Sequence, residues 1–274
     1  MEPIFKISDD RFDADQIDLY DLKIEWQDCR LKIALKNARS NIFIWFEDYF
    51  LGSYATFENS VSQIREMFNA HAFLKANFWN SIVVSVDTPL YLRLENELFD
   101  DQIPPFDYLK MVFPHLESSD FEIIESPFDK VRYLFGIPKV ILNLLSEIYQ
   151  NKTLEIKPKL ANLAEFFNKN NQLNTSNLLI VNDKWIDTII TKNTEIEIRK
   201  FPSVSYEINP KVFTLLNSNG KKTYLFGEIT PFSAIYKVIK ANIEQVEIGK
   251  LPDNIKFSQY FDEVPEQRHL SLFV

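Results

Sequence analysis

The stretch that decides the fold is Leu19–Phe46, LYDLKIEWQDCRLKIALKNARSNIFIWF. The second half of Leu19–Trp26 and all of Leu31–Leu35 alternate apolar and polar residues, which is typical of strands in a sheet with one partly exposed face. The third part, Ile42–Phe46, is apolar throughout, as in a strand that is covered on both faces. Short polar turns separate the three parts, so the stretch predicts three consecutive strands.

Helices and strands are predicted to alternate after these strands. The cues are N-capping threonines, prolines at helix starts, helical apolar spacing and compact β-branched runs. The predicted elements are a helix opened by Thr56, a strand at Ile82–Val86, a helix from Thr88-Pro89 through Leu98, strands at 121–125 and 131–135 within an irregular stretch at 101–136, a helix opened by Pro138, a strand at 154–156 and a helix opened by Pro158.

The polar stretch 168–176 is the best candidate for a domain boundary, because it holds turn-forming residues and almost nothing to bury. We therefore predict an N-terminal lobe at 1–174, with an irregular insertion near 101–136, and a C-terminal lobe at 175–274. The elements predicted beyond the boundary are strands at 178–181, 185–191 and 195–200, a helix at 210–216, a strand at 223–226 and a helix opened by Thr230-Pro231.

The two halves share one order of elements. Ser81–Leu94 (SIVVSVDTPLYLRL) and Thr223–Tyr236 (TYLFGEITPFSAIY) start 142 residues apart, and both are predicted to run strand, acidic turn, Thr-Pro, helix. Each is preceded by three strands and a helix. The pattern favours an ancient duplication, although Thr-Pro after a strand is also a common helix start.

This arrangement resembles the ribonuclease-H-like unit, and two copies with a cleft between them resemble the superfamily of actin, hexokinase and the heat-shock chaperone ATPases. The whole chain resembles an uncharacterised Bacteroidetes family, domain of unknown function 3822, through LKIEWQDCRLKI at 22–33 and LFGEITPFS at 225–233. The resemblance implies an α/β fold of two ribonuclease-H-like lobes, each a mixed sheet flanked by helices. It also implies ancestry in an ATPase of actin-like architecture.

The resemblance implies that three turns are the positions where a nucleotide would bind. Active members carry Asp-x-Gly after the first strand of each lobe, where bare amides grip phosphate and metal. Here the corresponding turns hold Asp28 and Asp183 without glycine, and the adenosine-side turn keeps only Gly227 of two glycines. These three residues are the weak candidates for cofactor binding. A side chain in such turns hinders the close approach that amide-to-phosphate hydrogen bonds need.

Each acidic candidate also has a plainer interpretation. Asp28 and Asp183 could hold Mg²⁺ through water, or they could serve their own hairpin turns by hydrogen bonding. Asp87 and Glu228 fall within one position of each other in the aligned repeats. They are either turn and helix N-terminal charges or a catalytic pair. We predict no catalytic residue and no metal site.

Composition excludes several classes of function. The 274 residues include only 5 glycines, where average usage of roughly 7% would give about 19. Their spacing excludes a G-x-G-x-x-G fingerprint and a G-x-x-x-x-G-K-[ST] phosphate loop. A net charge of −9 gives no electrostatic support for nucleic-acid binding. The single cysteine, Cys29, excludes an internal disulfide, and no apolar run is long enough for membrane insertion. We expect a cytoplasmic protein.

The leading functional hypothesis is a non-catalytic, actin-like scaffold or protein-interaction module that has lost its ATPase motifs. A protein partner is expected. The segment Phe46–Leu51, where aromatic residues flank charges, is one candidate surface, and core packing is the alternative interpretation. The acidic first thirty residues either form a solvated arm or dock a basic partner. The alternatives in function are a divergent Mg-ATP-binding ATPase or kinase, and a small-molecule binder that uses the cleft.

Overall fold

A computed structural model describes residues 1–150, 154–170, 172–192, 195–203, 207–218, 220–262 and 264–274. The strands in these ranges are β1 Phe5–Ser8, β2 Tyr20–Gln27, β3 Arg30–Asn37, β4 Ile42–Phe50, β5 Ser81–Val86, β6 Tyr91–Glu95, β7 Phe121–Phe128, β8 Val131–Pro138, β9 Leu154–Pro158, β10 Ser176–Val181, β11 Trp185–Lys192, β12 Glu195–Pro202, β13 Lys222–Gly227, β14 Val246–Ile248 and β15 Lys256–Phe257. The α-helices are α1 Phe57–Ala70, α2 Pro105–Val112, α3 Lys139–Ile148, α4 Lys159–Lys169, α5 Pro210–Asn217, α6 Ala234–Asn242 and α7 Leu270–Phe273.

Two sheets share one topology. The first runs β1-β4-β3-β2-β5-β9, and the second runs β12-β11-β10-β13-β14. In each sheet, three strands that are consecutive in the chain pair antiparallel: β2, β3 and β4 in the first sheet, and β10, β11 and β12 in the second. Two later strands extend each sheet in parallel, β5 and β9 next to β2, and β13 and β14 next to β10. Helices connect the parallel strands. The prediction of two ribonuclease-H-like lobes with mixed sheets is therefore confirmed.

The prediction of a helix after Thr88-Pro89 is wrong. That segment forms β6, which joins β8 and β7 in a three-stranded sheet inserted between β5 and α3. The alternating residues Leu90, Leu92 and Leu94 pack against the small core of this insertion. This period of two suits a strand, and pairing with β8 outweighs the Thr-Pro helix start. The second Thr-Pro does precede a helix, but α6 begins at Ala234, with Ser233 as its N-cap.

The insertion is fixed to the second sheet by two tyrosine hydroxyls. The Tyr133 hydroxyl donates to the Ile196 carbonyl at 3.1 Å and accepts from the Ile198 amide at 2.8 Å. The Tyr91 hydroxyl accepts from the Lys200 amide at 2.9 Å. These backbone groups belong to β12, the edge strand of its sheet. The insertion therefore satisfies edge groups that would otherwise need water.

The end of the chain returns to the first lobe. β15 pairs in parallel with β4, and α7 packs against β2 and β3. One hydrophobic core draws residues from both lobes and from this returning segment, among them Phe46, Leu163, Ile180, Phe226 and Phe273. The division into 1–174 and 175–274 stays a prediction, and in the predicted boundary stretch residue 171 lies outside the described residues.

Candidate functional site

The candidate site lies where the first hairpin turns of the two lobes meet. The β2–β3 turn carries Asp28, and the β10–β11 turn carries Asp183. Both turns follow the carboxyl end of a strand that also pairs in parallel with its neighbour. Open α/β sheets bind ligands at that edge. The structure therefore brings the two sequence-predicted acids to opposite walls of one interlobe cleft.

Each acid pairs with a cation from the opposite turn. Arg30 Nε lies 2.6 Å from Asp183 Oδ2, and Lys184 Nζ lies 3.7 Å from Asp28 Oδ2. Arg30 also reaches back to Asp48 on β4 at 2.8 Å. Burial raises the pKa of Asp28 above its ordinary value, against the effect of Lys184. These pairs hold the two turns together across the cleft.

Very little space remains between the two turns. The cavity lined by residues 27–29, 182–185 and Asp87 measures about 10 Å³, and a single water needs roughly 10–15 Å³. Cys29 lies in this wall, with its Sγ 3.7 Å from Asp183 Oδ2. Burial raises the pKa of the Cys29 thiol to about 11, which keeps it protonated and unreactive near neutral pH.

Behind the turns, a buried set of charges joins the lobes. Lys159, the first residue of α4, lies 3.2 Å from Asp87 and 3.6 Å from Glu25. Lys200 on β12 lies 2.6 Å from Asp87 and 2.9 Å from Asp187. Lys32 adds a weaker contact to Glu25 at 3.9 Å. The three carboxylates therefore face three ammonium groups within the protein.

These pairs set the ionisation of the buried groups. Burial alone would raise the pKa of Asp87, but Lys159 and Lys200 bring it below its ordinary value. Burial opposes charge on Lys159 as well, yet its carboxylate neighbours raise its pKa. Asn182 completes the set, since its amide donates to Asp187 at 2.6 Å and its carbonyl accepts from Lys159 at 2.9 Å. We call these side chains the buried charge network: Glu25, Lys32, Asp87, Lys159, Asn182, Asp187 and Lys200.

The third candidate, Gly227, has a local structural reason to be glycine. Its φ is +89°, and a Cβ at this position would lie 2.0 Å from the Val181 carbonyl oxygen. The close approach is thus between β13 and β10 of the same sheet. The next residue, Glu228, forms an ion pair with Arg268 of the returning C-terminal segment. A role for Asp28, Asp183 and Gly227 towards a nucleotide stays a prediction.

Two of the histidines are in contact with other side chains of the protein. His71 caps the end of α1 and contacts Glu47 at 3.0 Å through Nε2. His269 is buried, with its ring centroid 4.5 Å from that of Phe46. Within the described ranges, no group of three or more His, Cys, Asp or Glu side chains is placed to hold a metal ion.

The segment Phe46–Leu51 is not an exposed aromatic patch. It forms the end of β4, and all of its side chains are buried except that of Phe50, which is 42% exposed. The hypothesis of a partner surface at this segment is therefore wrong. Its charged side chains have partners within the protein, because Asp48 forms an ion pair with Arg30, and Glu47 forms an ion pair with Lys6 and a hydrogen bond with His71.

The burial of the lysines in the buried charge network was not predicted from the sequence. A signal existed on β12, where Ile196, Ile198 and Lys200 follow a period of two and the two isoleucines face the shared core. A lysine on a core face needs a buried counter-charge. Its cross-strand neighbour Asp187 supplies one.

The family and fold of the chain follow from its likeness to other proteins. Residues 9–197, more than half of the chain, match the family described as "Protein of unknown function (DUF3822)". The chain belongs to this family. No curated protein matches this DUF3822 chain.

Solved structures show the same fold. A Bacteroides thetaiotaomicron protein "with actin-like ATPase fold and unknown function" is 15% identical, with a TM-score of 0.69 over 87% of this DUF3822 chain and 93% of that one. A chain of the "PilM-PilN type IV pilus biogenesis complex" is 8% identical, with a TM-score of 0.52 over 92% and 94% of the two chains. At these identities the likeness shows an actin-like ATPase fold and no activity. No helix among the described residues is both long and apolar enough to cross a bilayer.

Proposed function

We propose that this DUF3822 chain is a non-catalytic, actin-like scaffold or protein-interaction module of the cytoplasm. The observation that carries the proposal is the narrow interlobe cleft, with a cavity of only about 10 Å³ between the candidate turns. Pockets for small ligands typically have about 300–1,000 Å³. A nucleotide would have to displace the Arg30–Asp183 and Lys184–Asp28 pairs before it could enter.

The electrostatics of the cleft support the same proposal. Asp87 and Asp187 would be available to a metal ion only if Lys200, which contacts both, were removed. The ammonium groups already neutralise the carboxylates that a Mg²⁺ would need. The actin-like fold is also compatible with protein binding, since the PilM–PilN structure is a protein complex. The net charge of −9 favours a protein over a nucleic acid as partner.

The alternative is a divergent Mg-ATP-binding ATPase or kinase that uses Asp28 and Asp183 in an opened cleft. Thermal unfolding with and without Mg-ATP separates the two functions. A ligand at a hundred times its dissociation constant stabilises the folded state by about 2.7 kcal/mol. We expect no rise in Tm at millimolar Mg-ATP, with the same concentrations of Mg²⁺ and of inorganic phosphate as controls.

The contradicting result is a rise in Tm that saturates with ATP concentration. Asp183→Asn then identifies the site, since it should abolish the rise if the nucleotide lies in the cleft. Glu66→Gln is the matched control, because Glu66 is exposed on α1. A rise of this kind would make the ATPase or kinase the better assignment.

A further inference from the structure

An open groove lies beside the closed cleft, between the start of α1 and the inserted three-stranded sheet. Its volume is about 450 Å³, within the range of about 300–1,000 Å³ typical of binding pockets. It is therefore large enough for several side chains of a partner. Six apolar side chains line it, namely Phe57, Pro89, Leu90, Leu116, Phe121 and Pro138.

Carboxylates surround this apolar wall. Asp28, Glu58, Glu117 and Asp120 line the groove, together with the imidazole of His115. Lys184 and Lys110 partly neutralise Asp28 and Glu117, at 3.7 and 3.8 Å. In the part of the chain that the structure describes, no ion pair involves Glu58 or Asp120. The groove thus combines apolar side chains with two carboxylates, those of Glu58 and Asp120, that are in no ion pair among the described residues.

The N-terminus of α1 does not reverse this charge. A helix N-terminus carries a partial positive charge that would disfavour a cation. Here Thr56 and Asn59 satisfy each other's backbone amides in a capping box, and Glu58 lies in the first turn. The positive end of the helix is therefore already occupied by hydrogen bonds and a carboxylate.

Exposed apolar side chains lie close in sequence to residues that line the groove. Tyr54, two residues before the N-cap of α1, is 94% exposed. Met111 and Val112, at the end of α2, directly precede the segment that supplies His115 and Leu116 to the wall, and they are 72% and 53% exposed. Protein interfaces are enriched in aromatic residues and methionine, so the surface around the groove has the composition of a docking site.

We propose that this groove binds a basic, apolar peptide segment of a protein partner, with Leu- or Phe-like side chains on its floor and Lys or Arg side chains beside Glu58 and Asp120. The assignment rests on the proposed role as an interaction module and gives that role a place and a partner chemistry. Charge complementarity selects a basic segment, and the apolar floor selects one that also carries large hydrophobic residues.

A phage-displayed library of random peptides tests this assignment. We expect peptides selected on the wild-type protein to combine Lys or Arg with Leu, Phe or other large apolar residues. Synthetic copies of them, measured by fluorescence anisotropy, should bind Glu58→Lys/Asp120→Lys about tenfold more weakly than wild type. The control is Glu66→Lys/Glu244→Lys, which changes the net charge equally at exposed positions outside the groove and should bind as wild type does.

Other outcomes overturn the assignment. These are peptides without a basic bias, a library that yields no binder, or peptides that bind both double variants alike. Glu58→Gln/Asp120→Asn should show a smaller loss in the same direction, which keeps the test valid if the lysine pair unfolds the protein. If the peptide experiment fails and Mg-ATP does not raise the Tm, the groove is not the binding site, but the non-catalytic assignment still holds. A thermal shift by Mg-ATP removes the proposed function itself.

Discussion

The interlobe cleft and the neighbouring groove are both lined by Asp28, but they differ in volume and in how their charged side chains are paired. The cleft has a volume of about 10 Å³ and is crossed by ion pairs. The groove has about 450 Å³, and two of its four acids, Glu58 and Asp120, take part in no ion pair among the described residues. The turns that the resemblance predicts for a nucleotide are joined by the protein's own ion pairs, and a larger cavity lies next to them. The comparison teaches that a fold by itself does not say which cavity of a protein binds a ligand.

The largest effect should come from the buried charge network behind the cleft. Lys159→Met leaves Asp87 and Glu25 in the protein interior with one cation fewer. Removal of one partner from a buried ion pair costs about 3–5 kcal/mol, so we expect a loss of that size in the free energy of unfolding, measured by urea denaturation. Lys169→Met on the same helix is the control, because the Lys169 side chain is exposed and its ion pair is with the exposed Glu165. Equal losses in the two variants would show that the buried pairs of Lys159 stabilise the protein no more than an exposed pair does.

An intermediate effect should appear in the pH dependence of stability. Burial lowers the pKa of His269 well below its ordinary value, with help from Lys32 and Arg268. Below about pH 6.5 the unfolded chain therefore binds a proton that the folded protein does not. We expect the free energy of unfolding to fall between pH 6.5 and 5, by up to about 1.4 kcal/mol per pH unit.

Variants at two histidines isolate this effect. His269→Phe removes the titrating group and should flatten the profile, whereas exposed His115→Phe should leave the slope unchanged. The readout is the slope, because the larger ring changes the absolute stability as well. A profile with the same slope in His269→Phe would assign the pH dependence to other groups.

The smallest effect should come from the groove side. Tyr54→Ala removes a side chain that is 94% exposed, so we expect the free energy of unfolding to change by less than about 0.5 kcal/mol. Trp26→Ala, at a fully buried position of the first lobe, should cost about 3–5 kcal/mol in the same assay. A large loss in Tyr54→Ala would mean that this side chain packs against the protein and is not available to a partner.

Much of the fold could be predicted from the sequence because its signals are local. The three strands in 19–46 are visible in alternation and apolar runs, and the helices at Pro138 and Pro158 are visible in proline placement. The helix predicted at Thr88-Pro89 failed because the deciding contact is with β8, some forty positions later. The alternation of leucines at 90, 92 and 94 is typical of a strand, whereas the similarity to 223–236 predicts a helix.

The candidate site was less accessible to sequence reasoning. The lack of glycine in the two turns could be seen directly. The closure of the cleft could not, because Arg30 and Asp183 lie 153 residues apart in sequence. Lys159 and Asp87 are separated by 72 residues, and nothing local distinguishes a buried lysine at a helix start from an exposed one. Contacts of this range follow from the packing of the two lobes.

The two tyrosine hydroxyls that bind the backbone of β12 also limit how a partner can bind. Tyr133 and Tyr91 occupy the outward amides and carbonyl of that edge strand. An incoming peptide strand would need these same backbone groups to extend the sheet. Strand addition is thus blocked along this part of β12, as it is in proteins that protect their sheet edges against aggregation. At this part of β12, a partner would have to bind through side chains and not through its backbone. The groove, which is lined by apolar and acidic side chains, offers recognition of the same kind.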